Sequence, residues 1–477
     1  MLLDAADDDS AVLVEASSGR VVTAKDIRER AASFPGDRRR LVFLLADGTL
    51  ESAVWFVALL EAGQPVALID SGQSLSTLSD LIGRYRPECI VDPANNYLRT
   101  TGPSYRGRLV HADLWQALDD GAEPHLDLAV LLTTSGTTGS PRLVRLSTAN
   151  VHTNALQIGA SLCITAEDRG VTALPLFYSF GMSVLTSHAV AGSPVIVTRS
   201  SVLEESFWSD LVRYEVSFLP GVPTTYSMLK RSGFERRELP RLRALIQAGG
   251  RLNPDLVTSF HNEMQRRNGR FFVMYGQTEA SPRISCLPPD RLLEKLGSVG
   301  IALPGGELSI RDHDGAELAA GLIGEVTYSG PNVMMGYADS REDLGRGVSH
   351  GSVLATGDLG YLDAEGFLYL TGRLKRICKL AGSRVSLDEI ETLAARLVRG
   401  KGSIAAIDGG DDTGVDLFGA ELGDRILQQL RSSLARSLRI PPKLIHVHSI
   451  EAMPLLTNGK VDYAGLARMR LAEECRE

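Results

Sequence analysis

Residues Leu131–Val144 read LLTTSGTTGSPRLV, and this stretch governs how the rest of the chain is interpreted. The short leucine-rich run Leu128–Leu132 is typical of a buried strand. The loop after it consists almost entirely of serine, threonine and glycine, and glycine lets the backbone approach a ligand closely. Backbone N–H groups and hydroxyls gathered in such a turn form an anion site, to which Arg142 adds a fixed positive charge. We interpret the loop as a polyphosphate site; a flexible linker is the alternative that composition alone favours.

The composition excludes several classes of protein. The 477 residues are 44% hydrophobic and 23% charged, which is typical of a globular chain of several domains. The net charge of −8 gives no support for nucleic-acid binding, and the scattered cysteines indicate neither disulfides nor a zinc site. The acidic start MLLDAADDDS does not resemble a signal peptide, and no apolar stretch reaches the ~20 residues of a membrane span. We therefore predict a cytoplasmic protein that binds neither nucleic acid nor membrane.

The N-terminal part alternates strand-like and helix-like segments. Leu41–Leu45, Pro65–Ile69 and Cys89–Val91 are predicted strands, and Thr49–Ala62 is a predicted helix. This alternation predicts a doubly wound parallel sheet.

Two later predicted strands also end in polar loops. Leu242–Gln247 leads into AGGR at 248–251, and Val273-Met274 leads into YGQTE at 275–279. Ligands of open α/β sheets bind at the carboxyl ends of strands, so we expect these two loops and the glycine-rich loop to share one crevice. Phosphates would repel Glu279 unless a cation lay between them, and Mg²⁺ takes one or two carboxylates together with substrate phosphates. A solvated surface glutamate is the alternative.

Aromatic residues mark a further feature. Leu174–Gly181 reads LPLFYSFG and precedes an apolar helix predicted from Met182, while Pro223 stands near another helix start. Such residues can wall a substrate pocket, although hydrophobic core is the simpler explanation of the same pattern.

From Gly297 onward, short strands and turns predict a small antiparallel barrel or sheet. Asp358 lies there in a glycine-flanked loop, where a carboxylate can accept ribose hydroxyls or simply form a turn. Ser386 and Glu389 have the spacing of a capping box at a helix start. Lys460 follows Asn-Gly in a turn and, taken alone, would be a solvated lysine.

Six segments, in this order, resemble the motifs of the adenylate-forming superfamily, which includes acyl-CoA synthetases, nonribosomal-peptide adenylation domains, luciferases and stand-alone acid–amine ligases. The segments are TTSGTTGSPR, LPLFYSFG, YGQTE, TGDLGYLD, GRLKRICKLAGSRVSLDEIE and PLLTNGKVD. The resemblance implies an α/β fold, with a large N-terminal domain of two α/β sheets plus a small β-barrel at 1–373. A small mobile α+β C-terminal domain would follow at 374–477.

The resemblance also implies two half-reactions. A carboxylate attacks the α-phosphate of MgATP, giving an acyl-adenylate and pyrophosphate, and a nucleophile then attacks the acyl carbon and releases AMP. Thr278 would contact the α-phosphate, Glu279 would hold Mg²⁺, and Arg373 would support the ribose site. Lys460 would stabilise the charge that develops in the transition state. Rotation at a hinge, Lys375, would let one active site serve both steps.

Two further sets of residues follow from the resemblance. The residues expected to bind ATP are Thr134, Ser135, Gly136, Thr137, Thr138, Gly139, Arg142, Gly249, Gly250, Arg251, Tyr275, Gly276 and Asp358. The residues expected to line the acid pocket are Phe177, Tyr178, Ser179, Phe180, Val222, Pro223 and Ala280.

Some residues depart from the family pattern. Arg142 stands where the family usually has lysine, which keeps the charge, and Leu143 stands where it usually has glycine. Tyr178 stands where the family often has a histidine that guards the acyl carbon and the path of the second nucleophile. The neighbouring positions lack the aspartate that peptide-synthetase domains use for an α-amine. We therefore expect an apolar or aromatic acid without a free α-amine.

We predict an ATP-dependent ligase that joins the activated acid to an amine, such as that of an amino acid, because the chain is similar to the stand-alone amide ligases typified by coronafacic acid ligase. An acyl-CoA synthetase is the alternative, since GSRVSLDEIE is compatible with a pantetheine route, and carrier-protein loading is a third acceptor. An inactive nucleotide-binding regulatory module is the alternative outside catalysis, against which Glu279, Asp358 and Lys460 argue. A Walker-type ATPase is excluded because the chain has no GxxxxGK[ST] motif.

Overall fold

The structure is a computed structural model that describes residues 2–4, 6–35, 38–111, 113–118, 121–133, 142–349, 351–380, 383–398, 402–409, 414–438, 440–457 and 459–474. The chain forms two compact units, Met1–Glu307 with Tyr328–Leu354 and Leu308–Thr327 with Ala355–Glu477. Within the described residues, none of the helices is both long enough and apolar enough to cross a bilayer.

The strands are numbered along the chain. They are β1 (Ala11–Glu15), β2 (Val21–Thr23), β3 (Val42–Ala46), β4 (Val66–Asp70), β5 (Cys89–Val91), β6 (Gly107–His111), β7 (Leu114–Ala117), β8 (Leu128–Thr133), β9 (Leu143–Ser147), β10 (Gly170–Val171), β11 (Val195–Val197), β12 (Phe218–Gly221), β13 (Ala244–Gln247), β14 (Arg270–Gly276), β15 (Arg283–Leu287), β16 (Ile301–Ala302), β17 (Glu307–Arg311), β18 (Gly324–Ser329), β19 (Gly336–Ala338), β20 (Val353–Leu362), β21 (Leu368–Arg373), β22 (Ile377–Leu380), β23 (Ser383–Ser386), β24 (Ser403–Asp408), β25 (Val415–Ala420) and β26 (Ile445–Ile450).

The α-helices are numbered in the same way. They are α1 (Ala24–Ala32), α2 (Leu50–Glu61), α3 (Leu75–Tyr85), α4 (Asn96–Thr100), α5 (Thr148–Leu162), α6 (Ser179–Val190), α7 (Glu205–Arg213), α8 (Pro223–Arg231), α9 (Pro254–Arg266), α10 (Leu387–Leu397), α11 (Asp424–Leu438) and α12 (Tyr463–Glu474).

The largest sheet of the first unit has the order β19-β9-β8-β4-β3-β5-β7-β6. Its central pairs, β8–β4, β4–β3 and β3–β5, are parallel, as the strand–helix alternation predicted. The outer pairs are antiparallel, including β9 with β8 and β19 with β9. β3 is buried at every position, which is typical of a parallel strand covered on both faces.

A second sheet of the first unit has the order β12-β13-β14-β15-β16. β12, β13 and β14 are parallel, so the AGGR and YGQTE loops that follow β13 and β14 lie at the same edge. The glycine-rich loop instead follows β8, which pairs with β4 in the larger sheet. The three loops therefore follow strands of two different sheets, which an apolar run does not reveal, and the expectation that they share one crevice stays a prediction. A smaller sheet of this unit has the order β10-β11-β1-β2.

Helix α6 begins at Ser179, three residues before the helix start expected at Met182. A Cβ atom at Gly181 would lie 2.1 Å from the carbonyl oxygen of Pro175, so glycine is required here by close backbone packing. Because α6 begins at Ser179, Gly181 lies within its first turn and not in the loop before it. Helices α5 and α6 pack on the second sheet through a buried cluster that includes Ile158, Phe180 and Phe272.

The second unit contains a four-stranded sheet of order β17-β18-β20-β21 and a three-stranded sheet of order β24-β25-β26. Alternate residues of β24 face opposite sides. Ala406 packs with residues of α10 and α11, whereas Ala405 and Ile407 pack with Leu466 of α12. This sandwich is α+β, as predicted for the C-terminal domain. The division after Arg373 stays a prediction, since contacts group residues 308–327 and 355–373 with the C-terminal residues.

Candidate active site

The glycine-rich loop is represented in the structure by the residues on either side of it. Thr134, Ser135, Gly136, Thr137, Thr138 and Gly139 lie outside the described residues. Arg142 is described, and its Nε lies 3.0 Å from Oδ1 of Asp339. The guanidinium carbon of Arg142 also lies 5.5 Å from the centroid of the Tyr337 ring. The antiparallel pairing of β19 with β9, in which Tyr337 stands opposite Val144, brings these residues together.

Tyr337 connects Arg142 to the candidate metal ligand. Its hydroxyl donates a hydrogen bond to Oε1 of Glu279 over 2.8 Å. Burial, and then the negative charge of Glu279, raise the pKa of Tyr337, so the phenol stays protonated and donates. Arg142 and Glu279 therefore both contact the side chain of Tyr337. Arg142 directly precedes β9 of the largest sheet, whereas Glu279 follows β14 of the second sheet.

A short 3₁₀ turn, Thr278–Ala280, carries Glu279. The backbone N–H of Met334 donates to the carbonyl of Glu279 over 2.9 Å. The Nδ2 of Asn332, a fully buried residue, donates to the carbonyl of Ala280 over 2.6 Å. These two bonds fix the backbone directly after the Glu279 Cα atom, which favours a single position for its carboxylate.

Thr278 contacts the first residue of the predicted acid pocket. Its Oγ1 donates to Oγ of Ser179 over 3.3 Å, and Ser179 is the first residue of α6. The predicted phosphate contact and the predicted acid pocket are thus adjacent in the structure.

The Gly-Gly loop packs directly on other residues of the predicted acid pocket. Gly249 has φ +84, and a Cβ atom there would lie 2.5 Å from the Tyr178 hydroxyl and 3.1 Å from Cγ1 of Val222. A Cβ atom at Gly250 would lie 3.1 Å from Cγ of Pro223. Burial raises the pKa of Tyr178, so this hydroxyl remains protonated at neutral pH.

The other predicted residues of the first unit differ in exposure. Tyr275 is buried at the end of β14 and Gly276 packs against Pro282, where a Cβ atom would lie 1.8 Å from the Pro282 carbonyl oxygen. Ala280 and Phe180 are buried, Phe177 is half-buried and Arg251 is exposed.

In the second unit, Asp358 and Arg373 form an ion pair. The Nε of Arg373 donates to Oδ1 of Asp358 over 2.8 Å, and Asp358 is 4% exposed. The two residues stand opposite each other in the β20–β21 pairing. Lys375 lies in a 3₁₀ turn, Leu374–Arg376, and its side chain lies outside the described part of the chain.

Lys460 lies in a tight turn of the second unit. Leu455 and Val461 form an antiparallel bridge around the turn, and the N–H of Leu456 donates to the Lys460 carbonyl over 2.8 Å. The side chain is half-buried and not fully solvated.

The sequence patterns did not indicate two residues that position Glu279 through hydrogen bonds to it or to its neighbour Ala280. Tyr337 and Asn332 follow the candidate metal ligand by more than fifty positions and lie in no segment that suggested chemistry. Two signals were present: Tyr337 directly follows Gly336 in a short apolar strand, and Asn332 directly follows a proline. Neither signal is specific without the pairing of β19 with β9.

Comparisons with known proteins show what the chain is similar to. The family model described as AMP-binding enzyme matches residues 29–338. A 2-succinylbenzoate–CoA ligase of Bacillus velezensis is 34% identical over 287 residues, which are 60% of this chain and 56% of that protein. The chain thus spans just over half the length of that curated relative.

Solved structures extend the similarity over nearly the whole chain. A structure of ATP-bound MatB from Rhodopseudomonas palustris has a TM-score of 0.78 at 25% identity and covers 98% of this chain and 97% of its own. The O-succinylbenzoate coenzyme A synthetase of Bacillus subtilis, solved with ATP and a magnesium ion, has a TM-score of 0.76 at 23% identity, with 96% and 97% covered. The predicted fold class and the predicted membership of the adenylate-forming superfamily are confirmed.

Proposed function

The chain belongs to the AMP-binding enzymes of the adenylate-forming superfamily, and from this premise we propose that it activates a carboxylic acid with ATP and then transfers the acyl group to the thiol of coenzyme A. The first step would give an acyl-adenylate and pyrophosphate, and the second would release AMP. The observation that carries the proposal is the contact of Tyr337 with both Arg142 and Glu279, beside Thr278.

The residues around Glu279 fit magnesium and phosphate. The Tyr337 hydroxyl donates a hydrogen bond to Oε1 of Glu279, whereas Oε2 of Glu279 has no hydrogen-bond partner among the described residues. One carboxylate oxygen suits Mg²⁺, which keeps waters and substrate phosphates as its other ligands. Bound Mg²⁺ would neutralise charge on the phosphate oxygens, and the planar guanidinium of Arg142 would donate hydrogen bonds to the same phosphates.

The remaining roles are part of the same proposal. Thr278, oriented by Ser179, would contact the α-phosphate, and the Gly249-Gly250 loop with Tyr275 would flank the adenine. Asp358, held by Arg373, would accept the ribose hydroxyls. Phosphoryl transfer depends mainly on positioning and charge neutralisation, and residues of these types supply both. The glycine-rich loop would bind the pyrophosphate through backbone N–H groups and hydroxyls.

Coenzyme A replaces the amine as the main acceptor in our proposal. The Bacillus velezensis relative is a CoA ligase and the Bacillus subtilis structure is a coenzyme A synthetase, which favours the thiol over the amide alternative. Tyr178, whose protonated hydroxyl packs against Gly249, stands at the position where the family often has a histidine that guards the path of the second nucleophile. Because this position differs, an amine acceptor stays an alternative for the test.

The test measures the two steps separately. The chain is incubated with ATP, Mg²⁺ and a panel of carboxylic acids, and exchange of labelled pyrophosphate into ATP is measured. Acids that support exchange are then supplied with coenzyme A or with an amino-acid panel, and the products are identified by mass. We expect acid-dependent exchange and an acyl-CoA product.

Each other outcome contradicts a specific part of the proposal. Amide products without acyl-CoA would contradict the acceptor while leaving adenylation intact. ATP binding without exchange for any acid would favour a regulatory module. Exchange without transfer to either small acceptor would favour carrier-protein loading.

A further inference from the structure

A buried guanidinium, that of Arg283, lies beside the acid-pocket residues within the first unit. Arg283 is 4% exposed and is the first residue of β15. It stands opposite Gly276 in the β14–β15 pairing. Its guanidinium carbon lies 3.9 Å from the centroid of the Phe180 ring, which is a cation–π contact.

This cation has no counter-ion in the described part of the chain. No described carboxylate forms an ion pair with Arg283, and its Nε lacks a hydrogen-bond partner among the same residues. Burial lowers the pKa of Arg283 to about 10, so the side chain remains charged at neutral pH. Burying a charge without a partner destabilises a protein, and one ring face compensates only part of that cost.

The guanidinium lines a small cavity between α5, α6 and the second sheet. Most of the lining is apolar, and the hydroxyls of Ser183 and Ser187 donate to carbonyls of their own helix. His188 also lines the cavity, and burial lowers its pKa to about 4, so it is neutral. Arg283 is thus the one charged residue among the described residues of the lining.

The size of the cavity limits what Arg283 can bind. Its volume is about 20 Å³, which is room for roughly one or two water-sized atoms. The two oxygen atoms of a carboxylate match this room, whereas the six atoms of an aromatic ring exceed it, and a guanidinium can donate two parallel hydrogen bonds to a carboxylate.

We propose that Arg283 selects acids with a second carboxylate, which would enter the cavity and pair with the guanidinium. This inference rests on the proposed acid adenylation. Phe180 covers the guanidinium, and the neighbouring Ser179 accepts the hydrogen bond of Thr278. The second carboxylate would therefore lie near the reacting one, so short dicarboxylic acids are the class we expect.

The experiment compares acids in matched pairs that differ by one carboxylate: glutarate with pentanoate, adipate with hexanoate, and isophthalate with benzoate. The readout is the ratio of kcat/KM for acid-dependent pyrophosphate exchange within each pair. In the wild-type protein we expect at least one diacid to exceed its partner on the order of 10²-fold, because its monoacid leaves the buried cation unpaired.

Variants separate recognition from a structural role. Arg283→Met should reduce the diacid preference on the order of 10²-fold, without lowering the thermal midpoint, since it removes an unpaired buried charge. Arg283→Lys keeps the charge but not the planar fork, so it should retain part of the preference. Arg213→Met is the matched control and should change neither measurement, because this exposed guanidinium also lies over an aromatic ring, that of Tyr214, at 5.1 Å.

The outcomes distinguish the two proposals. Exchange with monoacids at equal or higher efficiency in the wild type would overturn the role of Arg283 and leave adenylation standing. A diacid preference that survives in Arg283→Met would do the same. If Arg283→Met does not fold, an unchanged preference in Arg283→Lys overturns the inference. Absence of exchange with these diacids and monoacids and with every acid of the broader panel refutes the proposed function, and this inference with it.

Discussion

At the scale of single residues, Tyr337 explains how two distant segments of the chain reach one another. Its ring lies against Arg142 and its hydroxyl donates to Glu279. A hydrogen bond from a neutral donor to a carboxylate is stronger than one between neutral groups. Tyr337 is therefore a positioning residue for Glu279 and not a catalytic one in our proposal.

Tyr337→Phe tests that role because it keeps the ring and removes only the hydroxyl. We expect acid-dependent pyrophosphate exchange to fall roughly tenfold, the effect of losing one hydrogen bond to a charged group, and the Mg²⁺ concentration for half-maximal rate to rise. Titration of exchange against Mg²⁺ measures both effects.

The matched control is Tyr361→Phe, which also removes only a hydroxyl, from a ring that stacks on Tyr369. It should leave the rate and the Mg²⁺ dependence unchanged. An unaltered Mg²⁺ dependence in Tyr337→Phe would show that Glu279 does not depend on this hydroxyl.

At the scale of elements, a buried carboxylate joins the end of α5 to the start of two strands of the second sheet. Asp168 accepts hydrogen bonds from the N–H of Thr165 over 2.8 Å, from Oγ of Ser217 over 2.9 Å, and from Arg243. Ser217 immediately precedes β12 and Arg243 immediately precedes β13. The cluster therefore fixes α5 relative to the strands that carry the Gly-Gly loop.

This cluster predicts a pH dependence of stability. Burial alone would raise the pKa of Asp168, but the hydrogen bonds from Arg243, Thr165 and Ser217 outweigh it and hold the pKa below 3.8. A depressed carboxyl pKa stabilises the folded state above the unfolded pKa, and this contribution is lost as pH falls through the folded value.

We expect Asp168→Asn to lower the urea midpoint at pH 7. The difference from wild type should shrink as the pH falls below about 4, because the carboxyl of the unfolded wild-type chain takes up a proton there and that of the folded protein does so only at lower pH. Asp314→Asn, at an exposed turn, should change the midpoint little at any of these pH values. A difference that stays constant from pH 7 to pH 3 would contradict the assignment.

At the scale of the whole molecule, the residues proposed for the reaction come from both compact units. The first unit carries Thr278 and Glu279, and the second carries Asp358, Arg373 and Lys460. Lys460 lies in a defined turn of the second unit, and its proposed role is to stabilise charge in the transition state of adenylation.

Lys460→Ala should lower acid-dependent pyrophosphate exchange on the order of 10²–10³-fold, the effect of removing one preorganised donor from a developing charge. Transfer from a supplied acyl-adenylate to coenzyme A should persist, because Lys460 is proposed to act only in the first step. Stopped reactions analysed by mass measure the two steps independently.

Lys443→Ala serves as the control for Lys460→Ala. Lys443 is an exposed lysine of the same unit in the short turn Pro442–Leu444, so we expect wild-type rates in both steps. Exchange at the wild-type rate in Lys460→Ala would refute the role of Lys460.

The sequence by itself determined the family, the fold class and most of the individual elements. Apolar runs at β3, β4 and β5 and the helix caps carry local information, and the six motifs carry the chemistry of the family. These signals depend on a few residues that are neighbours in the sequence, so they can be interpreted without the tertiary structure.

Only the tertiary structure decided which sheet each strand joins and which side chains meet across the chain. β8, which precedes the glycine-rich loop, lies in a different sheet from β13, which precedes the Gly-Gly loop, and Tyr337 contacts both Arg142 and Glu279. The same limit applies to Arg283, whose sequence context gives no sign that its charge is buried and unpaired. Strand pairing and burial arise from contacts between residues far apart in sequence, and the local pattern around each residue does not encode them.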